Sequence, residues 1–160
     1  MIRPASSADA KVIAAIYNYY VLHTHVTFEE EAVSPEDMWG RMAEIQKTYP
    51  WLVYEEAGSV WGYAYANKWQ SRCSCRRTVE TTVYLDGAKV RKGIGSQLYA
   101  ELIRILKDGE FHTAIGGIAL PNEGSVALHE KLGFTKTGHF TGVGRKFDRW
   151  IDVGYWQLML

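Results

Sequence analysis

A strand, a loop and a helix follow one another in the middle of the chain, and this unit limits the possible folds most. Residues 78–85 (TVETTVYL) are dense in β-branched side chains, which favour a strand. A polar loop over residues 86–92 leads to Gly93-Ile94-Gly95. Apolar residues then recur at helical spacing up to a stop at Asp108-Gly109, namely Leu98, Leu102, Ile105 and Leu106. The centre of the chain is therefore predicted to alternate strand and helix.

The flanking segments continue this alternation. Capping residues at Ser6-Ser7 and Ser34-Pro35 each precede a helical pattern, and the second pattern runs to about residue 47. Further patterns predict strands over 51–55, 60–69 and 113–120, a helix from Asn122 to Gly133, and two strands around a polar stretch at 144–149. The predicted order is strand, two helices, three strands, helix, strand, helix, two strands. It indicates a single α/β (α+β) domain over residues 1–160, with a mixed, mostly antiparallel sheet flanked by helices.

Composition excludes several classes of protein. A length of 160 residues suits one domain, and an apolar fraction of 47% is too high for a disordered chain. Lys plus Arg and Asp plus Glu both number 18, so the net charge is zero and gives no electrostatic case for nucleic acid or an anionic membrane as main partner. No apolar run approaches the roughly 18 residues that cross a bilayer, and the N-terminus lacks a signal-peptide pattern.

Two cysteines bear on the cellular compartment and on metals. Cys73 and Cys75 are one residue apart, which is too close for an ordinary disulfide. Two cysteines are also too few for a zinc site. We therefore expect reduced thiols, a cytoplasmic protein and no metal.

The glycines before the central helix suit an anionic ligand. The first turn of a helix leaves backbone N–H groups unpaired, and glycine lets a bulky anion approach them. Arg91 and Lys92 add positive charge, so the turn is predicted to hold a pyrophosphate, although glycines there also serve close packing. Leu98 replaces the third glycine of a dinucleotide fingerprint, and the Gly-Lys-Ser/Thr string of a P-loop does not occur.

The string Arg91-Lys92-Gly93-Ile94-Gly95-Ser96 resembles the pyrophosphate loop of the GCN5-related N-acetyltransferase (GNAT) superfamily. The superfamily pattern is Gln/Arg-x-x-Gly-x-Gly/Ala, and Val90 departs from it at the first position. The whole chain is similar to the branch that acetylates phosphinothricin and methionine sulfone or sulfoximine. The strings that carry this likeness are IYNYYVLHTHVTFE, YPWLVYEE, TVETTVYL, RKGIGSQLY, LPNEGSVALHEKLGF and GRKFDRWIDVGYWQL.

The resemblance implies an acetyl-CoA-dependent N-acetyltransferase that acts on the α-amine of a small amino-acid analogue, usually as a homodimer. In the superfamily the central strand parts from its neighbour, so that its backbone pairs with the pantetheine arm and one N–H group faces the thioester oxygen. No string marks a covalent nucleophile, so direct attack in a ternary complex is expected. The residues that match cofactor contacts are Val83, Tyr84, Leu85, Arg91, Lys92, Gly93, Ile94, Gly95, Ser96 and Asn122.

Glu80 is the predicted base for the acceptor amine. Strand alternation places it with Thr78, Thr82 and Tyr84 on one face. A carboxylate in the middle of a strand costs free energy unless it is exposed, paired or used, and exposure on an outer face is the structural alternative. In the branch that the chain resembles, the glutamate of the matching T-V-E string sits in the acceptor site. A free α-amine has a pKa of about 8, so a weak base is enough to remove the proton from the ammonium group.

His129 and Asn122 each allow two interpretations. Histidine titrates near neutrality and suits an acid or a base, although a lone helical histidine is more often structural. Many superfamily members carry at the position of His129 a tyrosine that protonates the leaving thiolate, and histidine is common there in this branch. Asn122 is a preferred helix N-cap, and the matching asparagine of the family also contacts the cofactor.

The segment 69–77 is predicted to form the acceptor-side loop. Arg72 and Arg76 suit a carboxylate or phosphinate clamp, and a solvated basic loop is the alternative. The branch commonly has a basic residue, a tyrosine and an aromatic residue where this chain has Gln70, Cys75 and Arg77. These departures leave the acceptor open, including whether phosphinothricin is a good one.

Two rival functions remain at the level of the sequence. One is acetylation of a protein N-terminus or a polyamine, and a polyamine would need an acidic groove where the suspected loop is basic. The other is an acyl-CoA-binding module without catalysis, which would bind acetyl-CoA and release no thiol with any amine.

Overall fold

The structure, a computed structural model, describes residues 1–89 and 93–160. Its helices are α1 (Ala10–His23), α2 (Pro35–Ile45), α3 (Ile94–Asp108) and α4 (Glu123–Lys131). Its strands are β1 (Ile2–Pro4), β2 (Trp51–Glu56), β3 (Ser59–Lys68), β4 (Thr78–Leu85), β5 (Thr113–Leu120), β6 (Thr135–Lys146) and β7 (Arg149–Met159). The predicted order of strands and helices is confirmed.

One sheet of seven strands has the order β1-β2-β3-β4-β5-β7-β6. All neighbouring strands pair antiparallel except β4 and β5, which are parallel. The prediction of a mixed, mostly antiparallel sheet flanked by helices is therefore confirmed. The parallel pair is the one that encloses the central helix, because a strand–helix–strand connection returns the chain in the same direction.

Both faces of the sheet bury apolar side chains. Against one face packs α3, whose buried side chains lie along one face of the helix and include Ile94, Leu98, Leu102 and Leu106. Against the other face pack α1 and α2, through residues that include Ile13 and Met42. Strand β4 contributes to both cores, since Val83 and Leu85 contact the α3 side and Tyr84 contacts the α1–α2 side. This agrees with the predicted alternation.

Strands β4 and β5 part halfway along β4. They pair only over Thr78–Glu80 and Thr113–Ile115, whereas β4 remains paired with β3 up to Leu85. Strand β5 remains paired with β7 up to Leu120. Among the described residues, residues 81–85 therefore have no strand neighbour on the β5 side. The gap expected from the resemblance is present.

The last hairpin differs from the sequence prediction. The polar stretch at 144–149 was expected to separate two strands, but β6 runs to Lys146 and β7 begins at Arg149. A two-residue turn joins them, with φ of 51° at Phe147 and 56° at Asp148. Such a turn usually contains Asn or Gly, which adopt positive φ easily, so this sequence gives no sign of it.

Candidate active site

A cavity of about 620 Å³ lies at the gap between β4 and β5. It follows β4 from Glu80 to Leu85, a distance of about 16 Å for five residues of strand. We call one part the glycine end, lined by Gly93, Gly95, Ser96 and Asn122. We call the other part the tyrosine end, lined by Tyr17, Tyr65, Glu80 and Tyr155.

The glycine end is formed by the start of α3. Gly93 is the N-cap, with φ of +67°, a left-handed conformation that favours glycine, and no side chain caps the helix. A Cβ at Gly95 would lie 3.3 Å from Leu85 Cδ1, so a larger residue would crowd the cavity. The backbone N–H groups of the first turn are therefore accessible to an anion.

The remaining predicted residues of this turn differ in their placement. The side chain of Ile94 is buried in the α3 core, so only its backbone can face a ligand. Ser96 lines the cavity as predicted. Arg91 and Lys92 lie outside the described residues.

The second half of β4 lines the cavity through Val83, Tyr84 and Leu85. The Tyr84 ring packs against Tyr17 and Tyr20, with centroids 5.3 and 5.0 Å away. The Tyr20 hydroxyl donates a hydrogen bond of 2.6 Å to the Leu85 carbonyl. These contacts hold the unpaired half of the strand from the α1 side while its other edge faces the gap.

Glu80 lies in the cavity wall, with Gly117 of β5 opposite. A Cβ at Gly117 would lie 3.6 Å from Glu80 Oε1 and 3.2 Å from the Tyr155 ring, so the missing side chain leaves space beside the carboxyl. Burial raises the pKa of Glu80. Among the described residues it has no ion-pair partner. A half-buried carboxylate without a cation, open to a cavity, is suited to accept a proton.

His129 is 4% exposed and hydrogen-bonded at both ring nitrogens. Nδ1 lies 2.7 Å from the Ser125 carbonyl, which can only accept, so Nδ1 carries the hydrogen. Nε2 then accepts from the Tyr99 hydroxyl at 2.9 Å, and Tyr99 in turn is 2.6 Å from Thr81 Oγ1. Burial lowers the pKa of His129 and outweighs the hydrogen bond to Ser125, which by itself would raise that pKa. The neutral ring is therefore favoured. The ring also lies against Gly116, where a Cβ would come within 2.4 Å of Nε2.

Asn122 has the capping role that its sequence position predicts. Its side-chain oxygen accepts a hydrogen bond of 3.1 Å from the Ser125 backbone N–H. The residue also lines the cavity. Both interpretations of Asn122 are therefore geometrically compatible.

The tyrosine end contains residues that were not singled out in the sequence. The Tyr17 hydroxyl is 2.8 Å from Thr27 Oγ1, and burial raises the pKa of Tyr65 to about 12. The Tyr155 ring packs edge-on against Trp69 and Phe140. Other residues here are Val26, Thr27 and Phe28. Tyr17, Val26, Thr27 and Phe28 lie in the string IYNYYVLHTHVTFE, and Tyr155 lies in GRKFDRWIDVGYWQL. The likeness of these two strings to the family was the sequence signal that could have identified them.

The predicted acceptor-side loop lies outside the cavity lining. Arg72 and Arg76 are exposed, Cys75 is partly buried, and none of them lines the cavity. Arg76 Nη1 donates a 3.3 Å hydrogen bond to the Cys73 carbonyl within the loop. The loop contacts the site through Trp69, on Tyr155. Contact of these arginines with an acceptor stays a prediction.

The described residues show neither a metal site nor a membrane-spanning helix. They contain no group of three or more His, Cys, Asp or Glu side chains placed to hold a metal ion. They also contain no helix that is long and apolar enough to cross a membrane.

The gap between β4 and β5, with a glycine-started helix at one end and a half-buried glutamate at the other, is the arrangement of an acyltransferase. The acetyltransferase (GNAT) domain family matches residues 2–154. The chain belongs to this family, and the earlier assignment to it is confirmed.

Three named proteins of this family are similar to the chain over nearly its whole length. A phosphinothricin N-acetyltransferase from Streptomyces viridochromogenes is 40% identical over 98% of this chain and 85% of its own length. An L-methionine sulfoximine/L-methionine sulfone acetyltransferase from Salmonella typhimurium is 39% identical over 99% of this chain and 94% of its own. A phosphinothricin acetyltransferase from Sinorhizobium meliloti, solved with acetyl-CoA, superposes with a TM-score of 0.97 at 36% identity, covering 100% of this chain and 88% of that one.

Proposed function

We propose that this protein transfers the acetyl group of acetyl-CoA to the α-amine of a small amino-acid analogue of the methionine sulfone, methionine sulfoximine or phosphinothricin type. One observation carries the proposal. A single cavity joins an uncapped helix start, which suits a diphosphate, to a half-buried carboxyl, which suits an ammonium group. The names of the relatives support this choice of donor and acceptor.

The residues of the glycine end fit acetyl-CoA. The first-turn N–H groups of α3, including those of Gly95 and Ser96, would hold the diphosphate, because glycine at 93 and 95 leaves them open. Asn122 and the free edge of residues 83–85 would hold the pantetheine arm in the gap. When bound there, acetyl-CoA supplies the thioester that carries the acetyl group.

Glu80 is the proposed base. The raised pKa of the Glu80 carboxyl is nearer to the pKa of an α-ammonium group, which is about 8. The smaller difference between the two pKa values eases transfer of the ammonium proton to Glu80. The freed amine would attack the acetyl carbonyl carbon directly, so that a C–N bond replaces the C–S bond of the thioester and coenzyme A leaves as a thiolate that takes up a proton. A backbone N–H group on the free edge of β4 would stabilise the oxyanion, since such a donor needs no reorganisation.

His129 is the proposed second proton-transfer residue, and its ring lines the cavity. With Nδ1 donating to Ser125, the neutral ring presents only Nε2 as an acceptor, and that atom receives the Tyr99 hydroxyl. A proton would reach or leave His129 either at the ring itself or through Tyr99 and Thr81, because Thr81 also lines the cavity.

The cavity lining favours a small acceptor over a polyamine. Glu80 is the sole acidic side chain among the described residues that line the cavity, whereas a polyamine calls for several carboxylates. At the tyrosine end Tyr17, Tyr65 and Tyr155 offer hydroxyl groups that suit sulfone, sulfoximine or phosphinate oxygens. We retain Arg72 and Arg76 as proposed carboxylate partners, which requires their loop to approach the cavity.

We further propose a cytoplasmic homodimer. Five described side chains of the β6–β7 hairpin are more than half exposed although they are large and apolar: Phe140, Val143, Phe147, Trp150 and Met159. Such a cluster is typical of an interface. Both cysteines are free thiols, which supports a reducing compartment. Sedimentation velocity at micromolar concentration measures the mass of the assembly, and a monomer would rule out the dimer.

A thiol-release assay tests the function. Acetyl-CoA is offered with methionine sulfone, methionine sulfoximine, phosphinothricin, ordinary amino acids, an N-terminal peptide or spermidine. We expect release of coenzyme A with the first group of amino-acid analogues, and mass spectrometry should place the acetyl group on the α-nitrogen. Binding of acetyl-CoA without thiol release on any amine would show a binding module instead. Preferred acetylation of spermidine or the peptide would replace the proposed acceptor.

A further inference from the structure

The loop between α1 and α2 (residues 24–34, hereafter the α1–α2 loop) forms part of the tyrosine end without helix or strand structure. Val26, Thr27 and Phe28 line the cavity from this loop. Backbone groups of an irregular segment need partners outside regular structure. The contacts of this loop therefore determine where that part of the cavity wall lies.

Two contacts hold the wall from the far end of the chain. The Lys146 ammonium donates a hydrogen bond of 2.8 Å to the Thr27 carbonyl. The Phe28 ring packs on the backbone of Gly144, where a Cβ would come within 2.4 Å of Phe28 Cζ. Residues 144 and 146 lie two positions apart on β6 and so present the same face. One edge of the β6–β7 hairpin thus contacts two consecutive residues of the loop.

The burial of Lys146 indicates that its ammonium group has a specific role. The residue is 3% exposed, and a buried ammonium group costs free energy that an apolar side chain of equal length would avoid. Within the described part of the chain, Lys146 forms no direct ion pair; Glu29 and Glu30 act on it only at longer range. The ammonium group donates its hydrogen bond to a backbone carbonyl of the cavity wall and also lies 5.3 Å from the centre of the Phe147 ring.

Other contacts hold the same loop but leave the backbone carbonyl of Thr27 to Lys146. Tyr17 meets the Thr27 hydroxyl at 2.8 Å, and Arg41 forms a two-point ion pair with Glu29 at 2.6 and 3.1 Å. The side chain of Thr27 is thus fixed by α1 and its backbone by β6.

We propose that Lys146 is a positioning residue for the acceptor, which sets the Thr27–Phe28 part of the wall from the edge strand β6. The inference rests on the proposed function. It adds a residue that touches neither acetyl-CoA nor the carboxyl of Glu80. Since the wall lies at the tyrosine end, loss of the hydrogen bond affects the acceptor and leaves the glycine end as it was.

Lys146→Met keeps the apolar stem and removes the donor. We expect its kcat/KM for the acceptor to fall about 10- to 100-fold, chiefly through KM, with the KM for acetyl-CoA unchanged. Lys146→Arg, which restores a charged donor, should recover most of the loss. Lys136→Met is the matched control, because Lys136 is an exposed lysine on the same strand.

A second measurement needs no turnover. In hydrogen exchange, the backbone amides of residues 26–29 should exchange faster in Lys146→Met than in the wild type, with melting temperature maintained. A wild-type acceptor KM and unchanged exchange in Lys146→Met would overturn the proposal, as would equal rises of both KM values or an arginine variant as impaired as the methionine one. If the wild type acetylates no amine, the proposed function fails, and the exchange data still decide this inference.

Discussion

The two ends of the cavity are built in different ways. The glycine end uses backbone groups from three short segments: residues 83–85, the start of α3 and the start of α4. The tyrosine end uses side chains from α1, the α1–α2 loop, β3, β4 and β7. A backbone site tolerates substitutions that keep its conformation, whereas a side-chain site changes its ligand with each substitution. This difference fits a family with one acyl donor and several acceptors.

The contrast also separates two kinds of constraint on the sequence. At the glycine end the requirement is for missing side chains, at Gly93 for its left-handed φ and at Gly95 for its closeness to Leu85. At the tyrosine end the requirement is for particular polar groups, above all the carboxyl of Glu80. Substitutions at the two ends should therefore affect different kinetic constants.

The largest expected effect is that of Glu80→Gln at the tyrosine end. Loss of the base should lower kcat/KM by about 10²–10⁴ near neutral pH. The affinity for acetyl-CoA, measured by calorimetry, should remain that of the wild type because the glycine end is untouched. A fully active variant would remove Glu80 from the mechanism, and a variant that no longer binds acetyl-CoA would contradict the separation of the two ends.

Gly93→Val should have the next largest effect, at the glycine end. A β-branched residue at φ of +67° strains the turn, and acetyl-CoA binding should weaken about 10- to 100-fold. The acceptor KM should stay near its wild-type value. Gly58→Val provides the matched control, since Gly58 has φ of +73° in the β2–β3 turn and lines no part of the cavity. Equal losses of acetyl-CoA affinity in both variants would show general destabilisation instead.

Glu80→Gln should also change stability in a pH-dependent way. Burial raises the folded-state pKa of Glu80, so the proton stabilises the folded protein below the unfolded-state pKa of about 4.3, and this contribution is lost as the pH rises through the folded-state pKa. At pH 7 the variant should melt a few degrees above the wild type, because it buries no charge. The difference should shrink towards pH 4. Thermal melts across this range measure it, and a variant that is less stable at pH 7 would show that the carboxylate is compensated.

Arg76→Ala should have the smallest effect. As a proposed carboxylate partner of the acceptor it should raise the acceptor KM only about threefold, because an exposed charge pair contributes little, and it should leave the acetyl-CoA affinity unchanged. A wild-type acceptor KM in this variant would remove Arg76 from the acceptor contacts. The result decides whether the 69–77 loop belongs to the tyrosine end.

Much of the fold and the glycine end could be predicted because their signals are local. The strand at 78–85 and the strand at 113–120 have the predicted bounds, and the buried face of α3 follows directly from helical periodicity. The hairpin turn at Phe147-Asp148 could not be predicted, since positive φ at these residues is imposed by the pairing of β6 with β7. Arg72 and Arg76 show a different limit, because their charge suggested a clamp but said nothing about distance from the cavity.

The order of the elements, the burial pattern of β4 and the glycine-started helix follow from the amino-acid sequence, since each depends on neighbours within a few positions. The partners of Glu80, Thr27 and His129 follow only from the folded chain. Gly117 beside Glu80, Lys146 on Thr27 and Tyr99 on His129 join residues that are 30 to 119 positions apart. Spacing along a chain carries no information about such contacts, because they exist only after the sheet has brought its strands together.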